Sequence, residues 1–149
     1  MFALADSCAV LADVQIVASN GVVTFAQGLV GQPDWKRFSL TAPDEDGLVA
    51  VLTSVEDESL ALMVTNPGLI LPDYGVELSF DDEAELGIQP GDQPLVLTTL
   101  SVHGRNITTN LVGPLVINPR TLAAKQVVLT DTLYSTRHPV AEVEAAGAA

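Results

Sequence analysis

Two apolar runs in this chain each stop on an Asn-Pro step: Leu60-Ala61-Leu62-Met63-Val64-Thr65-Asn66-Pro67 and Pro114-Leu115-Val116-Ile117-Asn118-Pro119. Proline fixes φ, has no amide donor and pushes the residue before it out of the helical region. Asn66 and Asn118 must therefore leave their runs in extended or turn geometry. Both runs read as buried strands with stiff, specified ends. After the first stop, Gly68-Leu69-Ile70-Leu71-Pro72-Asp73-Tyr74 sets three aliphatic residues in a loop between two prolines. Such a loop either folds back over the core or forms a protein-docking edge, because exposed apolar surface is usually avoided.

Short β-type runs recur along the chain with turn signals between them, at Asp13 to Val17, Gly21 to Phe25, Lys36 to Leu40, Leu48 to Val55, Leu60 to Thr65, Val76 to Phe80, Leu95 to His103, Ile107 to Asn118 and Lys125 to Thr130. This spacing predicts an all-β fold, a mainly antiparallel small barrel or sandwich. Asn20-Gly21 and His103-Gly104-Arg105-Asn106 read as hairpin turns. Gly113-Pro114 predicts a break or bulge inside its run, since proline cannot donate to a central ladder. One short helix is expected over Asp81-Asp82-Glu83-Ala84-Glu85-Leu86-Gly87, with acids in the first turn and glycine at the C-cap. At 149 residues the chain is expected to be one domain, residues 1–139, followed by a flexible alanine-rich tail at 140–149.

Apolar residues make up 48% of the chain but aromatics only 5%, so the core is expected to be filled by Val, Leu and Ile. Residues 1–92 hold sixteen of the nineteen acidic side chains and two of the six basic ones, an excess of fourteen negative charges. The remaining residues carry one net positive charge. Such a field repels phosphate backbones and attracts a basic protein partner. The opening residues Met1-Phe2-Ala3-Leu4-Ala5-Asp6-Ser7 lack a basic n-region, so no secretory leader is expected, and a single Cys8 fits a reducing compartment.

Catalysis would have to use His103 or His138 as base and Ser7, Cys8, Ser101 or Ser135 as nucleophile, and no nucleophile signature surrounds any of them. Asp44-Glu45-Asp46-Gly47 begins like a calcium loop, but the position of the bidentate glutamate falls on Val55. Gly28-Leu29-Val30-Gly31 lacks the third glycine and the lysine of a phosphate-binding loop. No cofactor, metal site or enzymatic activity is expected. A binding protein remains.

The order of several segments resembles the flagellar assembly factor FliW family. These are Ser54-Val55-Glu56-Asp57, Val64-Thr65-Asn66-Pro67, Pro72-Asp73-Tyr74, Thr108-Thr109-Asn110-Leu111, Val116-Ile117-Asn118-Pro119, Lys125-Gln126-Val127-Val128-Leu129 and Tyr134-Ser135-Thr136-Arg137-His138-Pro139. Val30 stands where that family usually has a proline and Gln32 where it has an aromatic or large apolar residue, so a looser 28–32 turn is expected, and the tail after Pro139 departs from the family pattern. The resemblance implies a cytoplasmic, non-catalytic partner switch, monomeric when free. It would bind flagellin in a chaperone-like way and antagonise CsrA, a basic RNA-binding dimer that represses translation, the two partners excluding one another. The partner-binding residues expected are Asn66, Pro67, Leu69, Leu71, Pro72, Asp73 and Tyr74. Asp81, Asp82, Glu83 and Glu85 are expected to form the steering patch. The other reading of the same features is an acidic β interaction module of a different cytoplasmic complex.

Overall fold

The computed structural model describes residues 21–41, 49–130 and 132–142, the last two as backbone only. The expected strand at Asp13 to Val17, Asn20, the Asp44 loop and Cys8 lie outside these. Among the described residues nine strands and one α-helix form: β1 Val22–Phe25, β2 Arg37–Thr41, β3 Ala50–Ser54, β4 Ala61–Thr65, α1 Phe80–Leu86, β5 Leu95–His103, β6 Asn106–Thr109, β7 Leu115–Ile117, β8 Ala123–Gln126 and β9 His138–Glu142. The sheet runs β4-β3-β2-β1-β8-β7-β5, and β4 then pairs with β5 through Val64–Thr99 and Thr65–Thr98, closing a seven-stranded barrel. All of its pairings are antiparallel except β1 with β8. The expected all-β barrel with one short helix is what forms.

Period-two alternation builds the interior. Val23 and Phe25, Phe38 and Leu40, Leu52, Val64, Leu95 and Leu97, Leu115 and Ile117 all point inward and are buried. Alternate residues of a barrel strand face in and out, so one barrel of this size is filled by its own side chains. Phe25 and Phe38 meet edge to face, with ring centroids 5.8 Å apart. Each fully buried Leu or Phe contributes roughly 1.5–3 kcal/mol relative to exposure.

The run from Ile107 to Asn118 is two strands on one partner. β6 pairs with the outer half of β5 (His103 opposite Asn106, Leu100 opposite Thr109), and β7 pairs with its inner half (Leu97 opposite Leu115, Leu95 opposite Ile117). The interruption falls at residues 110–114, as Gly113-Pro114 predicts. Asn110 organises it, its Oδ1 accepting from the Val112 and Gly113 amides at 3.0 Å each. Beyond the bulge β6 leaves the barrel and joins β9, forming a three-stranded wing with β5. β9 carries that pairing three residues past Pro139.

A second apolar cluster lies outside the barrel wall. Val96 of β5 and Val116 of β7 are buried outward, against Tyr74, Val76, Leu86, Leu111 and Val127. The expected strand at Val76 to Phe80 does not form. Val76 and Leu78 do alternate inward with Glu77 and Ser79 outward, but Ser79 becomes the N-cap of α1, with its side chain and that of Asp82 closing a capping box. Gly87 ends the helix in the left-handed conformation, φ 64°, as the sequence predicts. The 28–32 turn is not loose. Gly28 has φ 71°, and a Cβ there would lie 2.4 Å from the Pro33 carbonyl oxygen. Leu29 and Gln32 bridge, and the Val30 amide donates to Gln126 Oε1 at 2.8 Å.

Both Asn-Pro steps make the same local turn. Asn66 Oδ1 accepts from the Gly68 amide at 3.0 Å and Asn118 Oδ1 from the Arg120 amide at 3.1 Å, each reaching past a proline that has no donor. Asn118 does more. Its Nδ2 donates to the Leu86 carbonyl at 2.9 Å, fastening the C-terminal end of α1 to the β7–β8 turn. Asn118→Ala should therefore cost about 2 kcal/mol or more, because the Leu86 carbonyl loses the nearer of its two side-chain donors and the Arg120 amide its acceptor, while Asn66→Ala should cost only about 1 kcal/mol. Guanidinium denaturation measures both, and equal losses would contradict the difference in role.

Candidate functional site

The acidic helix is assembled from local rules. Ser79 Oγ accepts from the Asp82 amide at 3.1 Å, Asp81, Asp82 and Glu83 lie where the macrodipole favours negative charge, and Leu86 enters the outer cluster with no exposure. The C-terminal carbonyls find partners on the following turn. Arg120 Nη2 donates to the Gly87 carbonyl at 2.7 Å and Thr121 Oγ1 to that of Leu86 at 3.2 Å. Arg120 also pairs with Asp92 at 3.0 Å. That guanidinium, followed by the Gln89 amide, holds the Asp92 carboxyl below the usual range.

The four expected steering residues divide into two pairs. Lys125 Nζ lies 2.7 Å from Asp82 Oδ1 and 2.9 Å from Glu85 Oε2, and Gln27 Nε2 donates to Glu85 Oε1 at 2.8 Å. These two carboxylates tie the helix to β8 and to the β1 end. Burial works against the charge on Asp82, but Lys125 and the Ser79 donors outweigh it and hold the carboxyl below the usual range. Lys125 is pushed up, chiefly by its bond to Asp82. Asp81 and Glu83 are exposed.

The loop after β4 divides similarly. Asn66 and Pro67 are buried, and Pro67–Leu69 forms a single 3₁₀ turn capped by Asn66. Tyr74 is buried, its hydroxyl donating to the Leu111 carbonyl at 2.6 Å and its ring lying 4.7 Å from that of Tyr134. Burial, with Tyr134 beside it, pushes the Tyr74 phenol well up. Leu71 packs against the outer cluster. Asn66, Pro67 and Tyr74 thus hold the chain together and present little side chain outward. Leu69, Pro72 and Asp73 are exposed. Loop and helix meet in one outer cluster, through Leu71 and Tyr74 on one side and Leu86 on the other.

Two features escaped the sequence reading. One is Lys125, whose partners lie some forty residues earlier, so only the fold brings them together. The other is Phe80, read as a strand residue and found on the surface beside the acids. The histidines do not converge: His103 pairs across from Asn106 and His138 from Thr109, at opposite ends of β6. Among the described residues no group of three or more His, Cys, Asp or Glu side chains could hold a metal ion, and no helix is long and apolar enough to cross a membrane.

Comparison with known proteins gives one family. The model of the FliW protein family matches residues 11–140. The flagellar assembly factor FliW of Natranaerobius thermophilus is 34% identical over 127 residues, covering 83% of this chain and 84% of that one. Its counterpart in Geobacter sulfurreducens is 35% identical over 120 residues, 79% of this chain and 75% of that one. A crystal structure of the flagellar assembly factor FliW superposes with a TM-score of 0.75 at 30% identity, covering 81% of this chain and 86% of that one.

The Lys125 contacts make a prediction about acid. The folded pKa of Asp82 lies below its unfolded value near ~4, so its contribution is complete above that value and is lost as pH falls through the folded pKa. Lys125→Met should lower stability at neutral pH by about 1 kcal/mol and shrink the further loss between pH ~5 and ~2. Urea midpoints across that range measure it. An acid limb as steep as the parent's would contradict the pairing.

Proposed function

The chain belongs to the FliW family of flagellar assembly factors, and on that premise we propose that it works by binding alone, holding either flagellin or a CsrA-type translational regulator. The observation that carries this reading is the exposed acidic charge of the chain before residue 93. Of the acidic side chains described before residue 93, Asp82 and Asp92 are half-buried and all the others are exposed. A basic RNA-binding dimer is attracted to such charge at long range, and attraction of that kind acts mainly on the association rate.

Rigid anchoring supports the same reading. α1 is closed at both ends, tied to β8 by two carboxylates and to the β7–β8 turn by Asn118, Arg120 and Thr121. A preorganised surface loses less conformational freedom when a partner lands on it. Flagellin bound across the same surface would displace the regulator, and secretion of flagellin would then release the factor to relieve repression. The switch requires no covalent step.

Surface plasmon resonance against the purified CsrA-type dimer tests the electrostatic half. Association should slow as ionic strength rises towards ~1 M, where the screening length is ~3 Å. Asp81→Asn with Glu83→Gln should slow association more than it speeds dissociation. An on-rate at low salt that matches the parent's would remove these two residues from the interface.

A further inference from the structure

Phe80 is 92% exposed, so its ring makes almost no contact with the rest of the chain. Single exposed apolar side chains are ordinary on protein surfaces. Three observations set this one apart. Its backbone is held, because the capping box between Ser79 and Asp82 spans it and fixes the first turn of α1. Its side chain does nothing for that turn, since a helix start gains from apolar residues that flank the cap and meet one another, and Phe80 meets none. Leu78, two residues before it, lines two clefts of about 390 Å³ and 320 Å³, and Val128 on the second is itself 54% exposed.

We propose that Phe80 is the apolar anchor of a docking surface for a basic protein, entering an aliphatic pocket on that partner while Glu77, Asp81 and Glu83 meet its lysines and arginines. This rests on the reading that a basic regulator is a partner, and it deepens that reading by naming the surface. Charge selects the occupant. Exposed Glu77, Asp81 and Glu83 lie within three residues of Phe80 along the chain, and they repel phosphate and anionic lipid. A second copy of this chain, with a net charge of −13, is also a poor occupant. An aromatic anchor within a charged rim is the common arrangement of an interface hot spot. The aliphatic loop expected to supply that contact is less suited to it, because Leu71 is spent on the outer cluster.

Phe80→Ala should leave the thermal melt unchanged and weaken binding of the CsrA-type dimer about tenfold or more, mainly through faster dissociation. Val102→Ala, which trims an exposed apolar residue on the β5–β6 hairpin, should bind as the parent does. If the parent binds and Phe80→Ala binds equally well, the anchor is wrong and the partner reading stands. If the parent does not bind the dimer, both fall.

Discussion

The structure depends on a barrel wall that is apolar on both faces. Leu95, Leu97, Leu115 and Ile117 point into the barrel, while Val96 and Val116, on the same two strands, point out and are as deeply buried. Apolar residues with almost no exposure on the outer face require a cover, and α1 with the chain that leads into it is that cover. Leu86, Val76 and Tyr74 supply the contacts. An amphipathic helix that buries one stripe must turn its polar face to solvent, so the acidic residues of α1 face outward because of what lies beneath them.

That arrangement makes the helix charges serve two purposes. Asp82 and Glu85 reach Lys125 and hold the helix in place, while Asp81 and Glu83 stay at the surface. Lys125 sits in β8 beside β7, so the ion pairs and the apolar cover bind the same stretch of wall. The ends of the helix are closed by Ser79 and Gly87, and Asn118 joins the second end to the β7–β8 turn. Asp81, Glu83 and the Phe80 ring of this short helix reach solvent.

Much of the fold was legible because its signals are local. The Leu95 to His103 strand reads directly as an apolar run, the bulge follows from Gly113-Pro114, and the helix end follows from Gly87. Segment 76–80 alternates as a strand would, yet the capping box of Ser79 with Asp82 starts a helix there instead. The site was less legible for a different reason. Asn66 and Tyr74 resemble interface residues in sequence, but their hydrogen bonds to Gly68 and Leu111 keep them inside, and the second contact spans thirty-seven positions. β9 was missed because a short edge strand beginning His138-Pro139 has no apolar run to announce it. The exposure of Phe80 depends on which face of the wall the cover leaves open, which periodicity alone does not report.

If one acidic surface serves two partners in turn, as proposed, flagellin and the CsrA-type dimer exclude one another. Titrating flagellin into a preformed complex with the CsrA-type dimer, followed by light scattering, tests it most directly. The dimer should be released as flagellin binds, with each partner weakening the other by the same factor, as linkage requires. A stable ternary complex with both affinities unchanged would contradict it.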